Sequence, residues 1–272
     1  MAISHIKRKL RRLSRRAKNW STIVGLTLAG NAITRETNLK NSNRPVMMIY
    51  GFGATRRTLA ILEQRLRKDG YPIFSINLGG FFGTFNTNSI EDLAHLIDTK
   101  IEKLYKKYNF RGRLTIIGHS KGGLIGHYYV KRLKGNKRVK KLVTLGTPHN
   151  GTPWALLAAL TPLRWILKSL KQMSPYSEFV SELKKIPFPK ELKVYSIYSR
   201  DDTVCPFPLA VLDEAPNVKN IEVLSVSHSE LLIKKNVYHA IRHALKDEMP
   251  ASWEEASRKS YQEHLEKGKK SD

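Results

Sequence analysis

The chain has 272 residues, 41% of them hydrophobic and 26% charged, enough apolar material for one sizeable α/β domain and too much for wholesale disorder. Forty-eight Lys and Arg stand against 23 Asp and Glu, a formal charge of +25, so a macromolecular partner is expected to be anionic, a lipid surface or a nucleic acid. Cys205 is the single cysteine, which excludes an internal disulfide and a thiolate zinc cluster, and no apolar run is long enough for a membrane-spanning helix.

In chain order, the first feature is a basic arm over residues 1–42. Its first twenty residues hold eight Lys or Arg and no acid. Ile3, Ile6, Leu10, Leu13, Ala17, Trp20 and Val24 recur at steps of three and four, which puts an apolar stripe beside a cationic helix face. Such a helix suits an anionic membrane interface through residues 1–24. The other readings are a solvated tail or a helix docked on the domain, with nucleic acid disfavoured. Residues 20–33 are apolar but carry Thr22, Thr27 and Asn31 and lead to no small-x-small cleavage site, so they read poorly as a signal peptide. The expected location is cytoplasmic, peripheral on the inner membrane face, with secretion left open.

From residue 43 to 245 the pattern alternates. Strands are predicted at 45–50, 72–78, 114–118, 140–145, 192–199 and 220–226, and helices at 55–68, 90–108, 121–133 and 229–245. The strand candidates are short and nearly continuous in hydrophobicity, as strands covered on both faces are. Strands alternating with helices over this length predict an α/β fold, a mostly parallel sheet with helices on both faces. Residues 151–185 break the rhythm with Trp154, Leu156, Leu157, Leu160, Leu163, Trp165, Ile166 and Leu170, and read as an inserted helical cap. Trp154, Leu157 and Trp165 are its candidate substrate contacts, and the bland reading is a packed helical insertion. Residues 246–272 form a charged, helix-compatible appendage.

The stretch with chemistry in it is Gly118-His119-Ser120-Lys121-Gly122-Gly123, preceded by a strand and followed by a helix. Gly-x-Ser-x-Gly in that context is a nucleophile elbow, with the serine on a sharp strained turn and small residues where neighbouring backbone comes close. The amide of Lys121 then stands at a helix N-terminus, where it can donate to an oxyanion. A serine needs a base, and the base needs an orienting carboxylate. With such an elbow the chain order is Ser, acid, His. His228 alone among the later histidines directly follows a strand, whereas His239, His243 and His264 lie on helical segments. Asp201 and Asp202 both end the preceding strand, with Asp202 preferred and Asp201 the alternative. The second oxyanion donor is expected in Tyr50-Gly51-Phe52-Gly53, at the amide of Phe52. The same glycines begin like a dinucleotide fingerprint, but Arg56 fills the third small position and Asn77 replaces the acid expected at the end of the next strand.

These residues, together with Gly146-Thr147-Pro148-His149-Asn150-Gly151-Thr152, resemble the serine lipases and esterases of the α/β-hydrolase superfamily across residues 44–245. The second segment is similar to one in bacterial triacylglycerol lipases and lipid-deacylating relatives. The resemblance implies an α/β-hydrolase fold with a helical cap, a catalytic Ser120, Asp202 and His228, hydrolysis of acyl esters and no cofactor or metal. His149 precedes the acid in the chain and is read as structural. The family has His-Gly where this chain has Tyr50-Gly51, and there the histidine braces the oxyanion loop. A thioesterase, an acyltransferase or a catalytically silent binding module remain the alternatives.

Overall fold

A computed structural model describes residues 2–31, 39, 44–80, 86–155 and 168–248. Six strands form one sheet: β1 (Val46–Ile49), β2 (Ile73–Ser75), β3 (Leu114–His119), β4 (Val139–Leu145), β5 (Lys193–Tyr198) and β6 (Val218–Glu222). Every neighbouring pair is parallel, in the order β2-β1-β3-β4-β5-β6. β1 and β3 are buried at every residue, which is why their sequences are apolar runs and not an alternation of polar and apolar.

The helices are α1 (Ala2–Leu28), α2 (Ala60–Lys68), α3 (Ile90–Tyr108), α4 (Lys121–Arg132), α5 (Lys168–Gln172), α6 (Glu178–Lys185) and α7 (Lys235–Lys246). The ends of α3 are written locally. Ser89 accepts the Asp92 amide at 3.1 Å, Glu91 and Asp92 complement the helix dipole, and Asn109 stops the helix in a left-handed conformation at φ 46°. The chain enters the sheet at β1, steps outward to β2, then crosses back past β1 to β3 and continues the other way. With right-handed crossovers this reversal puts α2 and α4 on opposite faces. Accordingly α3 packs on α4, while the Tyr238 hydroxyl of α7 donates to the Arg65 carbonyl of α2 at 3.1 Å. The connections after β1 and β3 therefore part at the carboxyl ends of adjacent strands, and the crevice between them is where ligands enter such sheets.

Two strands are shorter than their apolar runs. The run at 72–78 stops as a strand at Ser75, and the Leu78 amide donates to the Tyr50 hydroxyl at 2.7 Å, which holds the remainder as a loop. The last strand starts earlier than predicted and ends at Glu222. Ser225, at φ 59°, turns the chain back toward the sheet end and so delivers residue 228 to the crevice. The second half of α1 lies against the domain, and Leu39, also within the basic arm, is buried in the main core at 1% exposure, so these two parts of the arm are docked and not detached. Trp154 of the cap is about half exposed, and its indole N–H donates to the Thr203 carbonyl at 2.7 Å. Leu157 and Trp165 lie outside the described residues, as do residues 249–272 of the appendage. Among the described residues no helix is long and apolar enough to cross a membrane.

Candidate active site

Ser120 joins β3 to α4 with φ 53° and ψ −126°, a conformation that costs an ordinary residue about 1–3 kcal/mol and holds its side chain clear of the turn. Packing enforces the turn. A β-carbon on Gly118 would lie 2.5 Å from Gly123 Cα, and one on Gly122 would lie 2.3 Å from the Ile49 carbonyl oxygen of β1. Lys121 is the first residue of α4, so its amide is among the first-turn donors that have no intrahelical acceptor.

The structure brings His228 and Asp202 together from separate loops. His228 Nδ1 lies 2.7 Å from Asp202 Oδ2. The other carboxylate oxygen accepts the amides of Val204 at 2.9 Å and Cys205 at 2.8 Å, and Asp202 is only 1% exposed. An ionised carboxylate only accepts, so Nδ1–H is the donor of this bond, and the tautomer it selects leaves the Nε2 lone pair as the acceptor. Asp201 points elsewhere: its side chain is 39% exposed and lies 3.7 Å from the Arg16 guanidinium of α1. Ser120 and His228 line one cleft of about 190 Å³ together with Gly51, Phe52, Ala54 and Leu232, and, from α1, Ile23 and Thr27.

Three further groups around this cleft had no signature in the sequence. His119 Nε2 donates to the His228 carbonyl at 3.2 Å, with the two rings 4.7 Å apart. Burial, aided by the neighbouring His228, pushes the His119 pKa down to about 3, so it stays neutral and fixes the backbone of the 228 loop. Glu230, two residues past His228, is buried and accepts the Ser227 amide at 2.9 Å, the Ser227 hydroxyl at 3.0 Å and the Asn19 side-chain amide of α1 at 2.8 Å. Burial alone would raise its carboxyl, but those hydrogen bonds and Lys234 outweigh it and leave the pKa below the usual value.

The third group is the Lys121 side chain. It is fully buried, with no carboxylate partner among the described residues: Nζ donates to Asn86 Oδ1 at 2.8 Å and to the Asn88 carbonyl at 2.5 Å. Burial pushes its pKa down to about 7. Asn86 in turn donates its side-chain amide to the Tyr50 carbonyl at 2.8 Å, accepts the Gly53 amide at 3.1 Å and donates its own amide to the Ala54 carbonyl at 3.2 Å. The loop carrying Phe52 is thus held from both sides by one asparagine, and the asparagine is held by Lys121. Tyr50, which stands where the resembled family has its bracing histidine, accepts the Leu78 amide on its hydroxyl and donates the hydroxyl to Asn77 Oδ1 at 3.4 Å, and burial raises its pKa to about 12. His149 lies in a separate buried pair, Nδ1 to Nδ1 with His127 at 3.3 Å, and its Nε2 is 3.0 Å from the Thr144 hydroxyl.

Comparison with known proteins agrees with this architecture. A triacylglycerol lipase of Burkholderia plantarii is 26% identical over 160 residues, 53% of this chain but only 42% of that relative's length. Among solved structures, the mature lipase BlEst2 of Bacillus licheniformis superposes with a TM-score of 0.62 at 13% identity, covering 79% of this chain and 96% of that one. Lipase B of Aspergillus fumigatus superposes with a TM-score of 0.63 at 18% identity, covering 83% of this chain and 57% of that one. At those identities the likeness is one of fold. The family described as "Alpha/beta hydrolase of unknown function (DUF915)" matches residues 68–205, half of the chain, and with its parallel sheet and strand order the chain belongs to that family of α/β hydrolases.

Proposed function

We propose that the protein is a serine carboxylic-ester hydrolase that cleaves acyl esters through Ser120, His228 and Asp202. The observation that carries this reading is the 2.7 Å bond from His228 to a buried, doubly amide-bonded Asp202, with Ser120 held at a strained φ in the same cleft. Asp202 holds the His228 ring in the tautomer whose Nε2 accepts a proton. Ser120 Oγ attacks the ester carbonyl carbon as its proton passes to His228 Nε2. The resulting oxyanion accepts the amides of Phe52 and Lys121, which are positioned before the charge develops. Collapse breaks the carbon–oxygen bond to the alcohol, and the leaving oxygen takes the proton from His228. Water, losing a proton to the same nitrogen, then attacks the acyl carbon, and the carbon–Oγ bond breaks to release the acid as Ser120 Oγ takes that proton back from His228. No metal or cofactor has a part in these steps.

The proposed site of action is an anionic membrane surface. Support comes from the +25 charge, the basic first half of α1 and an outward stripe on its second half, where Trp20 is 63% and Leu28 74% exposed. The test is hydrolysis of p-nitrophenyl esters from acetate to palmitate by the wild type and by Ser120→Ala. Turnover lost in the variant is expected, and equal turnover in both would sink the serine mechanism. Partition of product between water and added alcohol separates a hydrolase from an acyltransferase.

A further inference from the structure

The second half of α1 is fastened to each of the three loops that make the cleft. On the acid loop, Arg16 lies 3.7 Å from Asp201, the neighbour of Asp202. On the base loop, the same guanidinium lies 3.9 Å from Glu230, and Asn19 donates to Glu230 at 2.8 Å. On the oxyanion loop, the Thr55 hydroxyl donates to the Thr27 carbonyl at 3.0 Å, and just past the end of the helix Asn31 Oδ1 accepts the Arg56 amide at 2.8 Å. Arg16, Asn19, Ile23 and Thr27 recur at three- and four-residue steps, so the contacts made from within the helix come from one face. The stripe with Ala17, Trp20 and Val24 is centred roughly a quarter of a turn away, beside the docked face.

On the docked face, Ile23 and Thr27 are themselves walls of the cleft that holds Ser120 and His228, and Ile23 packs against the main core. At about 190 Å³ that cleft is smaller than the ~300–1,000 Å³ of sites for drug-sized ligands. Among the described residues its other apolar walls, Phe52, Ala54 and Leu232, sit on the catalytic loops themselves, so Ile23 is the apolar wall contributed from outside those loops. The latch is loose on the charged side, since both Arg16 contacts are longer than a hydrogen bond, and firm at Asn19 and Thr55.

We propose that α1 is a built-in part of the substrate site and that Ile23 is its specificity-determining residue, limiting the ester substituent beside Ser120 to a short aliphatic group while the helix is docked. This rests on the ester-hydrolase reading and deepens it. The helix is then two-faced, with an inner face that sets substrate size and an outer stripe left for an anionic lipid surface.

The experiment compares wild type, Ile23→Ala, Ile23→Trp and Arg16→Ala/Asn19→Ala in the full chain on p-nitrophenyl acetate, butyrate and octanoate. A small fluorophosphonate first titrates reactive Ser120 in each protein. Ile23→Ala is expected to raise the octanoate-to-acetate ratio of kcat/KM about tenfold and Ile23→Trp to lower it by as much, the size of effect a methylene or two has in an apolar pocket. The latch variant should move in the same direction as Ile23→Ala and should lose amide-exchange protection at residues 51–56, a readout independent of turnover. Ratios unchanged within about twofold in labelled, active proteins would overturn the proposal and leave the hydrolase reading standing. A wild type that neither labels nor turns over would instead bring down the ester-hydrolase reading and this one with it, while unchanged exchange at residues 51–56 in the latch variant would refute the docking.

Discussion

At the scale of single residues, adjacent carboxylates take opposite parts. Asp202 is buried, bonded to two amides and 2.7 Å from His228, whereas Asp201 is 39% exposed beside a cation of α1. The two substitutions to asparagine should therefore differ sharply. Asp202→Asn leaves the ring without its orienting acceptor and should lower kcat on the order of 10⁴-fold. Asp201→Asn removes a partly exposed ion pair worth about 1 kcal/mol or less, and kcat should stay within about threefold of wild type. Equal losses in a steady-state assay would mean that the carboxylate facing His228 in solution is not Asp202.

At the scale of elements, the oxyanion loop depends on α4 through Lys121 as well as on its own backbone. Lys121→Met removes the donor that holds Asn86, and a loosened loop should cost kcat tens-fold while changing KM little, because the interaction matters most once the oxyanion forms. The same residue has a pH signature. In the unfolded chain Lys121 keeps its proton up to about 10.5, whereas burial brings the folded value down to about 7. Between those values the unfolded state binds more protons, so the native state gains stability as pH rises through that window, and below it the penalty of burying the charge is present in full. Urea melts at about pH 6 and about pH 9 should show the stability of wild type rising relative to Lys121→Met at the higher pH. An unchanged difference would indicate a lysine that titrates normally.

At the scale of the molecule, a +25 chain carries its basic helix next to the opening of its cleft, so binding to a charged surface and access to Ser120 are expected at the same end. Vesicles of anionic lipid should bind the full chain more tightly than neutral ones. Raising salt to ~0.5 M should weaken that binding without abolishing it, since exposed charges are screened and buried apolar contacts are not. A salt dependence that removes all binding, with a steep slope, would point to a polyanion such as nucleic acid in place of a bilayer.

Much of this protein was legible in one dimension because the relevant physics is local. The elbow is written in Gly118 and Gly122, whose hydrogens are all that the neighbouring backbone tolerates, and the parallel sheet in strand runs that are apolar on both faces. The chain order Ser, acid, His singled out His228, and strand-end position narrowed the acid to two adjacent residues. The sequence could not say which of Asp201 and Asp202 faces His228, because neighbours on a loop share composition and differ only in direction. Nor could it say that Lys121 and Asn86, far apart in the chain, brace the Phe52 loop in place of a histidine, or that Ile23 and Thr27 line the cleft while Asn19 fastens their helix to the base loop. A basic amphipathic helix reads the same whether it meets a membrane, water or its own domain. Only the tertiary structure, by bringing Glu230, Thr55 and the cleft against one of its faces, decided that it does the last.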